Sequence, residues 1–390
     1  MKRFIIAVMD SLGVGELPDA ADYNSIGANT LGHIAEYEKL CIPNLCALGM
    51  ANILPLAGQT PAAYPKAAWG KMAASSAGMD TTSGHWEISG IILANRLPTY
   101  PQGFPDEIID PFRKAIGRDI LGNCPASGTQ IIEDLGEEHL ATGSPIVYTS
   151  ADSVFQVAAH EAIIPPDDLY KICRIARGLL QGKHAVGRVI ARPFVGNAKE
   201  GFRRTENRRD FSLIPPASCL LEQCRRSGIP VISIGKIYDI FAGCHIDKAY
   251  PGHNNAESAQ SLLRALAENQ EGFIFANFVD FDTLYGHRND TIGYGKAIER
   301  FDAYLPQLLS ALSDDDILVI CADHGNDPSF PSPDHNREYV PLLVYGAKIK
   351  PVCLGIRSTF ADLGRTAAEY LGARDFTVGK SFLKEIIRED

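Results

Sequence analysis

Short apolar runs and longer amphipathic stretches alternate along most of this chain. Phe4–Met9 is continuously apolar, the mark of a strand buried on both faces, and it runs into Asp10 and a glycine-rich loop. A helix with its cap is expected over Asn29–Glu36. From Pro230 the rhythm is regular. Strands at Pro230–Ile234, Phe273–Val279, Ile317–Cys321 and Tyr339–Tyr345 alternate with helical patterns at Ala256–Asn269, Tyr294–Leu312 and Thr359–Leu371. Apolar strands separated by amphipathic helices predict a mostly parallel sheet covered by helices on both faces.

The middle third breaks that rhythm. After a crossing rich in Pro and aromatic residues (about 95–105) come helices near Asp106–Ile116 and at Asp167–Leu180. Strands are expected at Ile146–Tyr148, Val154–Val157 and Val186–Ala191. Without a strict βαβ order this reads as an α+β domain. The expected organisation is therefore an α/β core, residues 1–97 and 216–390, with an inserted domain at 98–215.

A length of 390 residues agrees with two domains, and 45% hydrophobic with 22% charged residues with a globular protein. The net charge of −10 argues against a nucleic-acid surface and requires that any phosphate ligand be neutralised locally. The nine cysteines form no C-x-x-C pair and suit reduced thiols in a cytosol. The short apolar start is too brief for a signal peptide, and no run is long enough to span a bilayer. A cytoplasmic protein is expected, with no membrane, nucleic acid or obligate protein partner.

Candidate chemistry follows the strands. In open α/β sheets ligands gather beyond the carboxyl ends of the strands. Asp10 follows the first strand, Asp280-x-Asp282-x4-His287 the strand at Phe273, and Asp323-His324-Gly325-Asn326-Asp327 the strand at Ile317. Asp334-His335 precedes the strand at Tyr339. Each taken singly is equally a helix cap or an ordinary polar residue. Jointly they could hold two Zn²⁺ or Mn²⁺ ions, an arrangement suited to phosphoryl chemistry. The stretch Asp80-Thr81-Thr82-Ser83-Gly84-His85-Trp86-Glu87 supplies hydroxyls ahead of a helix expected to start near Trp86. They read either as N-caps or, beside a metal, as a nucleophile. There is no G-x-S-x-G elbow and no Walker loop, and Gly13-x-Gly15 lacks the third glycine of a dinucleotide site.

Asp10, Asp80-Thr81, Asp282-x4-His287, Asp323-His324-Gly325 and His335 resemble the alkaline phosphatase superfamily of metalloenzymes. Runs in the inserted domain resemble that superfamily's pentose-phosphate mutases: Pro125-Ala126-Ser127-Gly128-Thr129, Tyr148-Thr149-Ser150-Ala151-Asp152-Ser153-Val154 and Gly187–Phe194. Other phosphatases and phosphomutases of the superfamily, a phosphoglycerate mutase among them, share the metal ligands but not these runs. The resemblance implies an alkaline-phosphatase-like core and two Mn²⁺ ions, one on Asp282, His287 and His335, the other on Asp10, Asp323 and His324. Thr81 would be phosphorylated. The (deoxy)ribose 1- and 5-phosphates would interconvert through a bisphosphate, primed by glucose 1,6-bisphosphate or ribose 1,5-bisphosphate. Such a reaction belongs to nucleoside catabolism and pentose phosphate metabolism. The inserted domain would act as a water-excluding cap, with Asp152 and Ser153 on the sugar and Arg188 on the distal phosphate. Lys236 would be a further phosphate contact. Read from the residues alone, Arg188 is equally a surface ion pair, and Lys236 a solvated loop lysine. Met79 stands where the family usually has Lys, and Ser83 where Thr is common.

Overall fold

The structure, a computed structural model, describes residues 2–37, 39–150 and 152–388; Ala151 of the Tyr148–Val154 run lies outside them. Contacts divide the chain into two compact units, Met1–Arg96 with Pro215–Asp390, and Leu97–Ile214. Among the described residues the strands are, in chain order, β1 (Arg3–Met9), β2 (Ala68–Met72), β3 (Leu121–Pro125), β4 (Ile146–Thr149), β5 (Val154–His160), β6 (Arg188–Asn197), β7 (Gly201–Arg204), β8 (Arg209–Ser212), β9 (Val231–Ile234), β10 (Lys248–Tyr250), β11 (Gly272–Phe278), β12 (Ile317–Cys321), β13 (Val340–Tyr345) and β14 (Cys353–Arg357).

The first unit is built on an eight-stranded sheet in the order β10-β9-β11-β1-β12-β13-β2-β14. β1, β11 and β12 are buried at every residue, so side chains pointing to either face are covered by helices. β13 alone runs against the others, antiparallel to both β12 and β2. That reversal matters for the site. It brings the residues before β13, His335 among them, to the edge where β1, β11 and β12 end.

The second unit holds a six-stranded sheet, β3-β4-β5-β6-β7 with β8 also on β6. Parallel and antiparallel pairs mix, as the broken rhythm of this segment predicts. Helices Asp106–Ile116 and Pro166–Leu179 pack over one face around Phe112, Phe155 and Leu169. Helix Gln130–Thr142 packs over the other around Tyr148 and Phe194.

Several elements depart from the sequence pattern. β6 begins at Arg188 rather than Val186 and continues through Pro193 to Asn197. β2, β10 and β14 were not expected, because these short lateral strands carry Gly, Lys and exposed positions instead of an apolar run. The helix after Asp80 spans Thr81–Ile88, five residues earlier than its expected start. Asp80 is the reason: its Oδ1 accepts N–H bonds from Thr82 at 3.0 Å and Ser83 at 3.1 Å, making it the N-cap. The capping role expected of Thr82 and Ser83 therefore belongs to Asp80.

Two buried charges brace the segments around the sheet edge. Arg337 donates to Asp19 at 3.0 Å and to the carbonyls of Ala74 at 3.1 Å, Ser76 at 2.7 Å and Gly78 at 3.2 Å. One planar guanidinium thus fixes the loop that leads into Asp80. Arg337→Met leaves those acceptors unpaired and should lower stability by about 3 kcal/mol, read as a fall in the denaturant midpoint. Arg337→Lys should recover little, because an ammonium does not reproduce the fork.

Glu338 accepts N–H bonds from Thr30 at 2.9 Å and Gly15 at 3.1 Å, and the Thr30 hydroxyl at 2.6 Å. Burial pushes its carboxyl up from 4.5 to about 7. Its folded value exceeds its unfolded one, so its contribution to stability is complete below about pH 4.5 and is lost as pH rises through about 7. Glu338→Gln should flatten that part of the stability profile by on the order of 3 kcal/mol, measured as melting temperature against pH for both proteins.

Candidate metal and phosphoryl-transfer site

Six side chains from four segments meet at the edge where β1, β11 and β12 end. Asp282 and His287 follow β11, Asp323 and His324 follow β12, Asp10 follows β1, and His335 arrives ahead of the reversed β13. Asp282 lies 3.3 Å from both His287 Nε2 and His335 Nε2, and the two imidazole nitrogens are 3.1 Å apart. His324 Nε2 lies 3.4 Å from both Asp10 Oδ1 and Asp323 Oδ2. Ligand atoms of Asp10, Asp323 and His324 lie within 4.8 Å of one another, as do those of Asp282, His324 and His335. Neighbouring carboxylates divide their work. Asp280 receives the Asn255 N–H, Asp327 pairs with His33 at 2.6 Å, and exposed Asp334 receives the Ser332 hydroxyl.

The donor set fits divalent cations. Asp10 Oδ1 and Asp323 Oδ2 are fully buried and accept no hydrogen bond, a costly state for carboxylate oxygens unless a cation meets them. Nδ1–H of His287 donates to Pro333 O at 2.9 Å, and that of His324 to Gly325 O at 3.1 Å. Each ring therefore presents Nε2 to the carboxylates, the tautomer a metal requires. Asp282 and Asp323 are held ionised. For Asp282, burial acts upward but the charge of His335 and hydrogen bonds from both histidines win, holding it well below the usual carboxylate value. Asp323 is likewise held down, by His324 and His85 against its burial. His324 shows the reciprocal effect: burial opposes its charge, but Asp323 and Asp10 carry it from 6.5 up to about 10. Three acidic groups thus draw in positive charge, which either protons or metal ions can provide.

Thr81 opens its helix directly beside this group. Its Oγ1 lies 3.4 Å from His324 Nε2. Gly84 makes the approach possible: a Cβ there would stand 2.1 Å from the Asp323 carbonyl oxygen, so any other residue would push the helix off the site. Ser83 is not equivalent to Thr81, since its hydroxyl is donated to Asp80 Oδ2 at 2.5 Å.

Sequence reasoning missed a supporting layer. Asn277 donates to Asp10 Oδ2 at 2.8 Å and lies 3.2 Å from His85 Nε2. An amide N–H toward Nε2 makes that nitrogen the acceptor, so Nδ1–H of His85 donates to Thr81 O at 2.8 Å, with Asp323 Oδ2 3.1 Å away. Asn326 donates to Asp282 Oδ1 at 3.1 Å. The one available signal was Asn277 itself, a lone amide inside the apolar run Phe273–Val279. At Met79 the chain lines a small cavity with Gly84, His324 and Arg337. The cation there is Arg337, already committed to Asp19 and backbone carbonyls.

The remaining expected contacts are placed as follows. Lys236 follows β9, half-buried, and its Nζ makes no hydrogen bond or ion pair among the described residues. In the second unit Arg188 lies 3.5 Å from Asp152 and 3.6 Å from Asp210. The Ser153 hydroxyl donates to Pro98 O at 2.5 Å and accepts from Gly187 N at 3.2 Å, so its proton is spent inside the unit.

A mostly parallel sheet with an Asp/His set at its carboxyl edge defines a metal-dependent enzyme of the α/β type, and the model of the metalloenzyme superfamily matches residues 2–375. The fold alone is shared with the PH0037 protein of Pyrococcus horikoshii, at a TM-score of 0.50 and 14% identity, covering 95% of this chain and 98% of that one. The chain is 54% identical over 389 residues to the phosphopentomutase of Acetivibrio thermocellus, covering 99% of this chain and 100% of that protein. Identity to the phosphopentomutase of Desulfitobacterium hafniense is 52% over 390 residues, with 99% and 100% covered. The chain belongs to the phosphopentomutase family, isomerases within the metalloenzyme superfamily. All nine cysteines are free thiols, and no described helix is long and apolar enough to cross a membrane.

Proposed function

We propose that this enzyme interconverts (deoxy)ribose 1-phosphate and (deoxy)ribose 5-phosphate through a phosphorylated Thr81. The observation that carries this reading is the Thr81 hydroxyl, set at a helix N-terminus 3.4 Å from His324 and beside carboxylate oxygens that lack partners. Asp10, Asp323 and His324 would hold one metal ion, and Asp282, His287 and His335 another. Mn²⁺ is the proposed ion: an Asp/His set without thiolates accepts both Mn²⁺ and Zn²⁺, and the family resemblance favours manganese. Such ions supply Lewis acidity toward phosphoryl oxygens and lower the pKa of a bound hydroxyl.

The chain's own residues do the rest. Phospho-Thr81 gives its phosphoryl group to the free hydroxyl of the sugar monophosphate. The P–Oγ bond breaks, a P–O bond to the sugar forms, and the sugar's proton passes to Thr81. After the bisphosphate reorients, Thr81 recovers the other phosphoryl group by the reverse exchange. The dipole of helix Thr81–Ile88 favours negative charge at its start, although the Thr82 and Ser83 N–H groups themselves are held by Asp80. His85 holds the Thr81 carbonyl, and Arg337 the loop before Asp80. Arg188 is proposed for the distal phosphate, Asp152 and Ser153 for the sugar, Lys236 for a further phosphate contact, and glucose 1,6-bisphosphate or ribose 1,5-bisphosphate as primer.

Incubation with Mn²⁺, primer and ribose 1-phosphate should yield ribose 5-phosphate with little free phosphate. Release of mostly inorganic phosphate would make the enzyme a phosphatase, and faster turnover of 3-phosphoglycerate would place it among other mutases.

A further inference from the structure

Strand β11 is buried at every residue, and Asn277 is its one polar side chain. A core strand tolerates an amide at low cost only where its polar atoms are met. The oxygen is not met: Asn277 Oδ1 is fully buried and accepts no hydrogen bond. The nitrogen is fully used, with Nδ2 2.8 Å from Asp10 Oδ2 and 3.2 Å from His85 Nε2. What keeps an amide at this position is therefore what it donates.

The sheet register sets up both contacts. Asn277 pairs with Val8 on the parallel strand β1, and Asp10, two residues further on, returns to the same face. Phe275 lies two residues earlier on that face, and the His85 ring packs on it at 5.5 Å between centroids. The imidazole is thus laid along the strand beside Asn277. A carboxylate only accepts, so the amide must turn its N–H groups, not its oxygen, toward Asp10. The second N–H then makes His85 Nε2 an acceptor. Nδ1–H is left for the Thr81 carbonyl at 2.8 Å, with Asp323 Oδ2 3.1 Å away. Two buried side chains therefore join Asp10 and Asp323 to the first turn of the helix that carries Thr81.

We propose that Asn277 and His85 are paired positioning residues that couple the ion held by Asp10 and Asp323 to the placement of Thr81, a role that rests on Thr81 being the nucleophile. Asn277 fixes the rotamer of Asp10 and the tautomer of His85. His85 in turn fixes the Thr81 carbonyl, and with it the residue that bears the hydroxyl. Neither is required to touch substrate or to move a proton. Partners behind metal ligands orient those ligands and tune affinity. Here the same layer also orients the nucleophile, so loss of Asn277 strikes ion affinity and phosphoryl transfer separately.

The test joins equilibrium dialysis of the metal-free full chain against Mn²⁺ to steady-state kinetics at saturating Mn²⁺. Asn277→Leu should bind one of its two ions about tenfold or more weakly and the other as the parent does. With both ions restored by excess Mn²⁺, its kcat should stay about tenfold or more below the parent's, with KM within about twofold. His85→Gln keeps an acceptor for Asn277 but loses the N–H to Thr81. It should hold both ions at parent affinity while kcat falls by about tenfold, and it carries the test if the leucine variant does not fold. A packing role alone would lower the melting temperature without separating ion affinity from kcat. Parent ion affinity in Asn277→Leu, full recovery of its kcat by excess Mn²⁺, or parent kcat in His85→Gln overturns the proposal. An active Thr81→Ala would instead overturn the reading of Thr81, and the ion affinities of Asn277→Leu would be untouched by that result.

Discussion

Replacement of Thr81 by alanine is expected to lower turnover of pentose 1-phosphate by on the order of 10⁴-fold while leaving metal content and fold intact. The loss should be this large because no nearby hydroxyl is positioned to substitute. The Ser83 proton is already donated to Asp80. Stability should change little, because Asp80, not Thr81, satisfies the first N–H groups of the helix. Asp80→Ala is the converse case: it removes the cap, should cost about 1 kcal/mol, and leaves the Thr81 hydroxyl present. Mass spectrometry of the primed parent should find phosphate on Thr81, and primed Thr81→Ala should carry none. Turnover of Thr81→Ala within tenfold of the parent would remove Thr81 from the mechanism.

Thr81 also shows how far the chemistry could be read from the chain. Asp10, Asp282, Asp323 and their histidines are legible because each lies next to an apolar run, and strand ends in such sheets collect ligands. His335 is legible only in part. It precedes its strand, and nothing local reveals that β13 runs in reverse and so delivers it to the same edge. The helix start was misread because Thr81, Thr82 and Ser83 all have capping chemistry. The geometry gives that role to Asp80, whose carboxylate reaches two N–H groups at once. The roles of Asn277, His85 and Arg337 were beyond reach for a different reason. Asn277 stands out as a lone amide in an apolar strand, but neither it nor His85, inside a helix, shows locally what it holds. Their roles arise from partners tens to hundreds of residues away, as with Asn277 on Asp10. Gly84 belongs with them, since its value lies in the Asp323 backbone it touches.

The same dependence on distant partners sets the second large effect, that of Asp323→Asn. Asn keeps an oxygen to accept the Ser11 N–H, as Asp323 Oδ1 does at 3.1 Å, so the strand end should stay in place. It replaces Oδ2, which accepts no hydrogen bond and faces His85 and His324 at 3.1 and 3.4 Å, with an amide N–H pointing where a cation is proposed. Bound Mn²⁺ should fall from about two ions per chain to about one, and kcat by on the order of 10³-fold. Protons give an independent readout. Asp323 contributes the largest pull raising His324 from 6.5 to about 10, so the metal-free parent carries an imidazolium there at neutral pH. Because this folded value is raised, the contribution of His324 to stability is complete below about pH 6.5 and is lost as pH rises through about 10. Metal binding must displace that proton. Adding Mn²⁺ to the weakly buffered parent at pH 7 should therefore acidify the solution, and Asp323→Asn should release fewer protons. An unchanged ion count with unchanged proton release would show that Asp323 is not a ligand, and that its buried oxygen is tolerated through the histidines alone.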